Sequence, residues 1–145
     1  MLAGLSLLVF SAACDDGGAG VSPGDLVTGP MVVDCSFSWE AQTTTVRIDG
    51  PDAEPLAFGE LRVSARFFDD EFEGRSFSVT AYTEDGVVGH TALYQLRGQQ
   101  HPRNEFVGQH GFTGLNWVSE PASEQNLQYA CFARSPDDPV QGWDD

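Results

Sequence analysis

The densest run of chemistry-bearing side chains is Asp69-Asp70-Glu71-Phe72-Glu73-Gly74. Closely spaced carboxylates on a loop can supply part of the roughly six to eight oxygen ligands that calcium takes. Asp69, Asp70, Glu71 and Glu73 are the candidate ligands, although their spacing does not follow the helix-loop-helix calcium pattern. In a chain rich in acid, a solvated hairpin tip accounts for the same run. His90, His101 and His110, with Glu105, offer imidazole and carboxylate groups suited to zinc. Their separations of eleven and nine positions match no compact ligand motif, and exposed or core-edge histidines explain them equally. No Gly-x-Ser-x-Gly elbow places a serine nucleophile. Glycosidase-type carboxylate pairs are defined in space rather than in sequence, and 22 acids offer too many pairs to single one out. No catalytic residue and no metal site is therefore assigned, and no cofactor is expected, with calcium the one alternative.

Phe106, Phe112 and Trp117 cluster around a polar stretch and would form a ligand platform if they shared a surface, as aromatics do in concave sites. At strand positions of apolar parity the same residues would be core. Arg62 and Arg66 fall on one outward face, where they would hold an anion or pair with surface carboxylates.

The first thirteen residues, MLAGLSLLVFSAA, are uncharged and end in small side chains directly before Cys14. They are too few to span a bilayer, which takes about 20 apolar residues. An apolar run of this length ending in small residues is the pattern of a secretory signal peptide. Ser11-Ala12-Ala13-Cys14 resembles the lipobox of bacterial lipoproteins. The resemblance implies cleavage before Cys14 and a lipid on it, so that the mature chain begins there. The other reading is a buried apolar strand or helix with Cys14 a free thiol. Asp15 resembles the inner-membrane retention signal of enteric lipoproteins, and the choice between inner and outer membrane stays open. Residues 15–30, with five glycines and two prolines, show no amphipathic period and read as a tether spanning about 20–24 Å.

Lipidation of Cys14 would leave Cys35 and Cys131 to pair, in a compartment where disulfides persist. Two buried free thiols are the alternative. From Met31 onward the pattern alternates with period two. Val33, Cys35, Phe37 and Trp39 share one face, with Asp34, Ser36, Ser38 and Glu40 on the other. Val46 and Ile48 point inward in the next run, with Arg47 and Asp49 outward. Leu61 to Phe67 and Phe77 to Ala81 repeat the alternation, and Glu84-Asp85-Gly86 marks a hairpin before a β-rich run from Val87 to Leu96. Residues 97–110 read as a long polar loop containing Pro102. GFTGLNWV reads as a weaker strand in which Gly114 signals a bulge or close approach. In the last strand, Asn126 to Arg134, Leu127, Tyr129, Cys131 and Ala133 face inward. Ala130 and Phe132 make its second face partly apolar, as for a strand inside a sheet or covered on both sides.

About seven strands with no helical period predict an all-β fold, a single antiparallel β-sandwich or barrel. The organisation expected is a signal peptide at 1–13, a flexible tether at 14–30, a β-sandwich-like domain at 31–134 and an acidic polar tail at 135–145. The chain has 145 residues, 22 acidic and 7 basic, and a net charge of −15, with every basic residue an arginine. Nucleic acid is not an expected partner, because its phosphates call for a positive footprint. The expected function is a non-enzymatic binding or interaction module, lipid-anchored in the bacterial cell envelope, with an envelope protein or glycan as partner. The alternatives are a structural or assembly accessory pairing through a sheet edge, and a small hydrolase.

Overall fold

The computed structural model describes residues 29–70, 74–96, 110–140 and 142. Among these, eight strands and no helix are found: β1 (Val32–Trp39), β2 (Gln42–Ile48), β3 (Leu56–Phe58), β4 (Leu61–Asp70), β5 (Gly74–Thr83), β6 (Val88–Gln95), β7 (Asn116–Ser119) and β8 (Asn126–Arg134). They form two four-stranded antiparallel sheets, ordered β2-β1-β8-β7 and β3-β4-β5-β6. Neither closes on itself, so the fold is a sandwich and not a barrel.

Alternation is what lets each sheet bury one face. Val33, Cys35 and Phe37 of β1 and Leu127, Tyr129, Cys131 and Ala133 of β8 meet Leu61, Val63, Ala65 and Phe67 of β4 and Phe77, Val79 and Ala81 of β5 in one core. Rings bridge the layers: Phe37 lies 5.6 Å from Phe58, and Tyr129 lies 5.6 Å from His90. Such offset and edge contacts add to the area buried. The first and last strands are neighbours at the centre of their sheet. Cys35 stands opposite Cys131 in the β1–β8 register, and the two form a disulfide.

The hairpins follow local chemistry to different degrees. At β5–β6, Gly86 takes a left-handed φ of 83°, and Thr83 caps the turn by accepting the Val87 amide on its hydroxyl and donating that hydroxyl to Asp85. At β1–β2 the two turn residues, Glu40 and Ala41, both adopt positive φ, 49° and 61°. This is the geometry of a two-residue primed turn, normally filled by Asn-Gly. Here the seven-pair register between the strands imposes it on side chains that disfavour it.

Several expectations are corrected. β3 lies in a stretch that reads as irregular. It forms because Gly59, at φ 59°, turns the chain so that Leu56 pairs with Val63 and Phe58 with Leu61. GFTGLNWV is a strand only from Asn116, and a close approach is made by Gly111. A Cβ on Gly111 would overlap the Cys131 carbonyl, which accepts the Phe112 amide at 3.0 Å.

The face of β1 expected to be polar and solvated is instead buried, with Asp34 and Ser36 both at 0% exposure. Asp34 accepts two hydrogen bonds from Arg47, at 2.8 and 2.9 Å, and Ser36 shares one with Thr45 at 3.0 Å. The tail folds back over this face. Arg47 also donates to the Pro136 carbonyl at 3.3 Å, and Gly142 sits so close over Thr45 and Ser36 that a Cβ would collide with both. The carboxylate of Asp34 raises the Arg47 pKa above its usual value, first by hydrogen bonding, with Asp138 of the tail adding to it. β8 does have two covered faces, as its sequence implied.

Candidate functional site

The sequence candidates are dispersed by the fold. Asp69 ends up beside Arg75, to which it is ion-paired at 2.9 Å across the β4–β5 hairpin, and Asp70 closes β4 opposite Gly74. Glu71 and Glu73 lie outside the described residues, as do Cys14, His101, Glu105 and Phe106. Among the described residues, no three His, Cys, Asp or Glu side chains converge as metal ligands. Phe112 and Trp117 do not share a surface. Phe112 is packed in the core against Phe77 and Tyr94, at 5.8 and 5.7 Å, whereas Trp117 is 67% exposed on the outer side of β7. The structure thus does not bring these two rings to one surface, one being buried and the other exposed.

His90 faces inward, where its Nε2 lies 2.7 Å from the Tyr129 hydroxyl. Burial lowers the His90 pKa below its ordinary 6.5 and raises that of Tyr129, which Tyr94 pushes further the same way. A neutral imidazole accepting from a neutral phenol satisfies both groups inside the core. Because the folded pKa is depressed, the unfolded chain takes up the proton first. Stability is thus full above pH 6.5 and falls as pH drops from there through the folded pKa. The melting temperature should decline over this interval, and His90→Gln should flatten the decline; equal slopes for both proteins would remove His90 as its cause. Glu120 acts lower on the scale. It accepts the Ser123 hydroxyl and, at 2.7 Å, the Glu60 amide, which hold its pKa below 4.5. Its contribution is present above that value and is lost as pH falls through the folded one.

Two surface depressions stand out. A cleft of about 470 Å³ at one end of the sandwich is bounded by Glu60, Thr83, Glu84, Asp85, Val87 and Pro121. Its acids are partly spent on the fold, Glu84 on Arg62 and Asp85 on Thr83. The second is a shallow groove of about 320 Å³ on the outer face of the β3-β4-β5-β6 sheet, lined by Ser64, Arg66, Ser78, Thr80 and Tyr82.

The register explains what this face presents. Four rows cross it: Ala57, Arg62, Tyr82 and Val88; Ser64, Thr80 and Thr91; Arg66, Ser78 and Leu93; Phe68, Ser76 and Gln95. None of these residues is acidic, in a chain of net charge −15; the acids nearest to them along the ladder are Asp70, opposite Gly74 one row beyond Phe68, and Glu84, ion-paired to Arg62 at the other end. The two arginines are used differently. Arg62 is held by Glu84 and by the carbonyls of Gly59 and Leu61. Arg66 donates its Nε to Ser64 at 3.2 Å and makes no ion pair among the described residues. Sequence parity placed both arginines outward. It did not reveal that serine and threonine would fill the positions between them, because that depends on the β4–β5–β6 register.

Compared with known proteins, the chain matches no family model, no curated protein and no solved structure.

Proposed function

We propose that this chain is an exported, lipid-anchored binding module of a bacterial envelope, non-enzymatic, and that the outer face of the β3-β4-β5-β6 sheet receives its ligand. The observation that carries the reading is the acid-free, hydroxyl-lined groove around Arg66 on an otherwise strongly acidic chain. The Cys35–Cys131 disulfide supports export, since such bonds persist in oxidising compartments. The lipobox resemblance at Cys14 supports the anchor. With net charge −15 the domain is repelled by anionic headgroups, and lipid rather than charge would hold it at the membrane.

Two experiments test this reading. Cys14→Ala should release the protein from the membrane fraction, and unchanged membrane association would defeat the anchor. A photoreactive residue at Leu93, on the groove row of Arg66 and Ser78, should form adducts in the native envelope. The same residue at Thr43, on the outer face of the other sheet, should not. Equal yields at both positions would defeat the binding face.

An assembly role is the second reading, and β6 favours it. This strand is an edge of its sheet, has no acidic or arginine residue in Val88–Gln95, and leaves Val88 and Leu93 about 60% exposed. Uncharged edges of this kind can pair with another strand.

A further inference from the structure

Given that the outer face of the β3-β4-β5-β6 sheet is a binding face, we infer that its ligand is an acidic polysaccharide, a chain of sugars carrying carboxylates, with one carboxylate received by Arg66. Interfaces built for protein partners have an apolar, water-excluding centre, a polar rim and few serines. Here the order is reversed. Ser78 and Thr80 occupy the middle of the groove with Arg66, whose Nε is held by the buried Ser64 beneath it, while Phe68, Leu93 and Tyr82 stand around them. Hydroxyls that both donate and accept match the hydroxyls of a sugar, and the flanking rings offer apolar surface to its C–H faces.

Charge narrows the class. Arg62 is held by Glu84, so Arg66 is the cation of the face that is open to an incoming anion. Its Nη groups make no hydrogen bond among the described residues, and a guanidinium receives a carboxylate through two parallel N–H donors. One such cation cannot neutralise the closely spaced phosphates of a nucleic acid, whose binding rests on several contacts at once. Nor does it make the basic cluster that a phospholipid surface calls for. A polymer with sparse carboxylates among many hydroxyls fits what is present. No position in the four rows around the groove is acidic, Glu84 being neutralised by Arg62 at the rim and Asp70 lying one row beyond, and a carboxylate beside Arg66 would oppose the ligand's charge.

Polygalacturonate serves as the probe, with dextran as the neutral polymer. The full chain should bind polygalacturonate and not dextran, more weakly as salt is raised. Arg66→Ala should weaken binding about tenfold or more, the loss expected for one charge-assisted contact. Arg66→Lys should recover part of it, and Thr91→Asp should weaken it by placing a like charge on the face. Melting temperatures close to that of the parent for all three variants would locate the effect at the surface. No binding of polygalacturonate, equal binding of dextran, or an unaltered Arg66→Ala protein overturns the inference. Adducts from Leu93 separate this failure from that of the binding face. Adducts that prove to be protein alone leave the face standing and overturn the polysaccharide; no adducts at all overturn both.

Discussion

Replacing Cys35 and Cys131 together with alanine should lower stability by about 4–5 kcal/mol, a fall of roughly 15–20 °C in melting temperature. The size follows from what the bond encloses. Its two ends are 96 positions apart, so the unfolded chain loses the entropy of a loop containing the entire second sheet. β1 and β8 pair across seven positions without help from any local turn, and the disulfide removes most of the search this pairing requires. Both cysteines are at 0% exposure, so a reductant meets the sulfurs only after the sandwich opens. Reduction under native conditions should therefore proceed no faster than unfolding, measured by alkylation of the freed thiols against the unfolding rate in denaturant. A double variant within about 1 kcal/mol of the parent would show that the β1–β8 pairing is already formed in the unfolded ensemble.

The parts of this fold legible in the sequence are those where one local signal acts alone. Alternation in β1, β4, β5 and β8 put the right residues inward, because a strand has only two faces. Asp85-Gly86 marked its hairpin because glycine readily takes the left-handed conformation found there. The double-sided burial of β8 was legible in Ala130 and Phe132. What escaped depends on distant partners. β3 has three residues and no pattern of its own; it exists because β4 is beside it. Glu40 and Ala41 carry no turn signal, and their conformation is dictated by the strands they join. Asp34 and Ser36 looked like a solvated face because the sequence does not show that the tail returns to cover them. Phe112 and Trp117 are near in sequence and lie on opposite sides of a sheet, which proximity along the chain cannot reveal.

Parity placed Arg62 and Arg66 together and outward, and a surplus of acid suggested that both would be ion-paired. The pairing holds for Arg62, because the β5–β6 turn brings Glu84 to it. It does not hold for Arg66 among the described residues, whose row is completed by Ser78 and Leu93. A difference of four positions along one strand thus separates an ion-paired arginine from one with no ion pair among the described residues.

On the opposite sheet, Arg47→Ala should cost more than any single change on the groove face, about 3–5 kcal/mol, read from denaturant unfolding. Asp34 is fully buried between Phe132 and Arg47 in its sheet, so removing the guanidinium takes away the counter-charge of a carboxylate that water does not reach. Asp34→Ala should cost less, because the Arg47 side chain retains 23% exposure and the Pro136 carbonyl, and can turn its charge toward solvent. Replacing both at once, Asp34→Leu with Arg47→Met, should restore much of the loss, since an apolar pair of similar volume avoids burying charge altogether. The asymmetry is what identifies burial as the cause: two exposed partners would lose the same small amount from either side. If Asp34→Ala proves the more damaging single change, the covering tail rather than the buried carboxylate sets the energetics of this face, because Arg47 would then depend on Asp34 to stay in reach of Pro136.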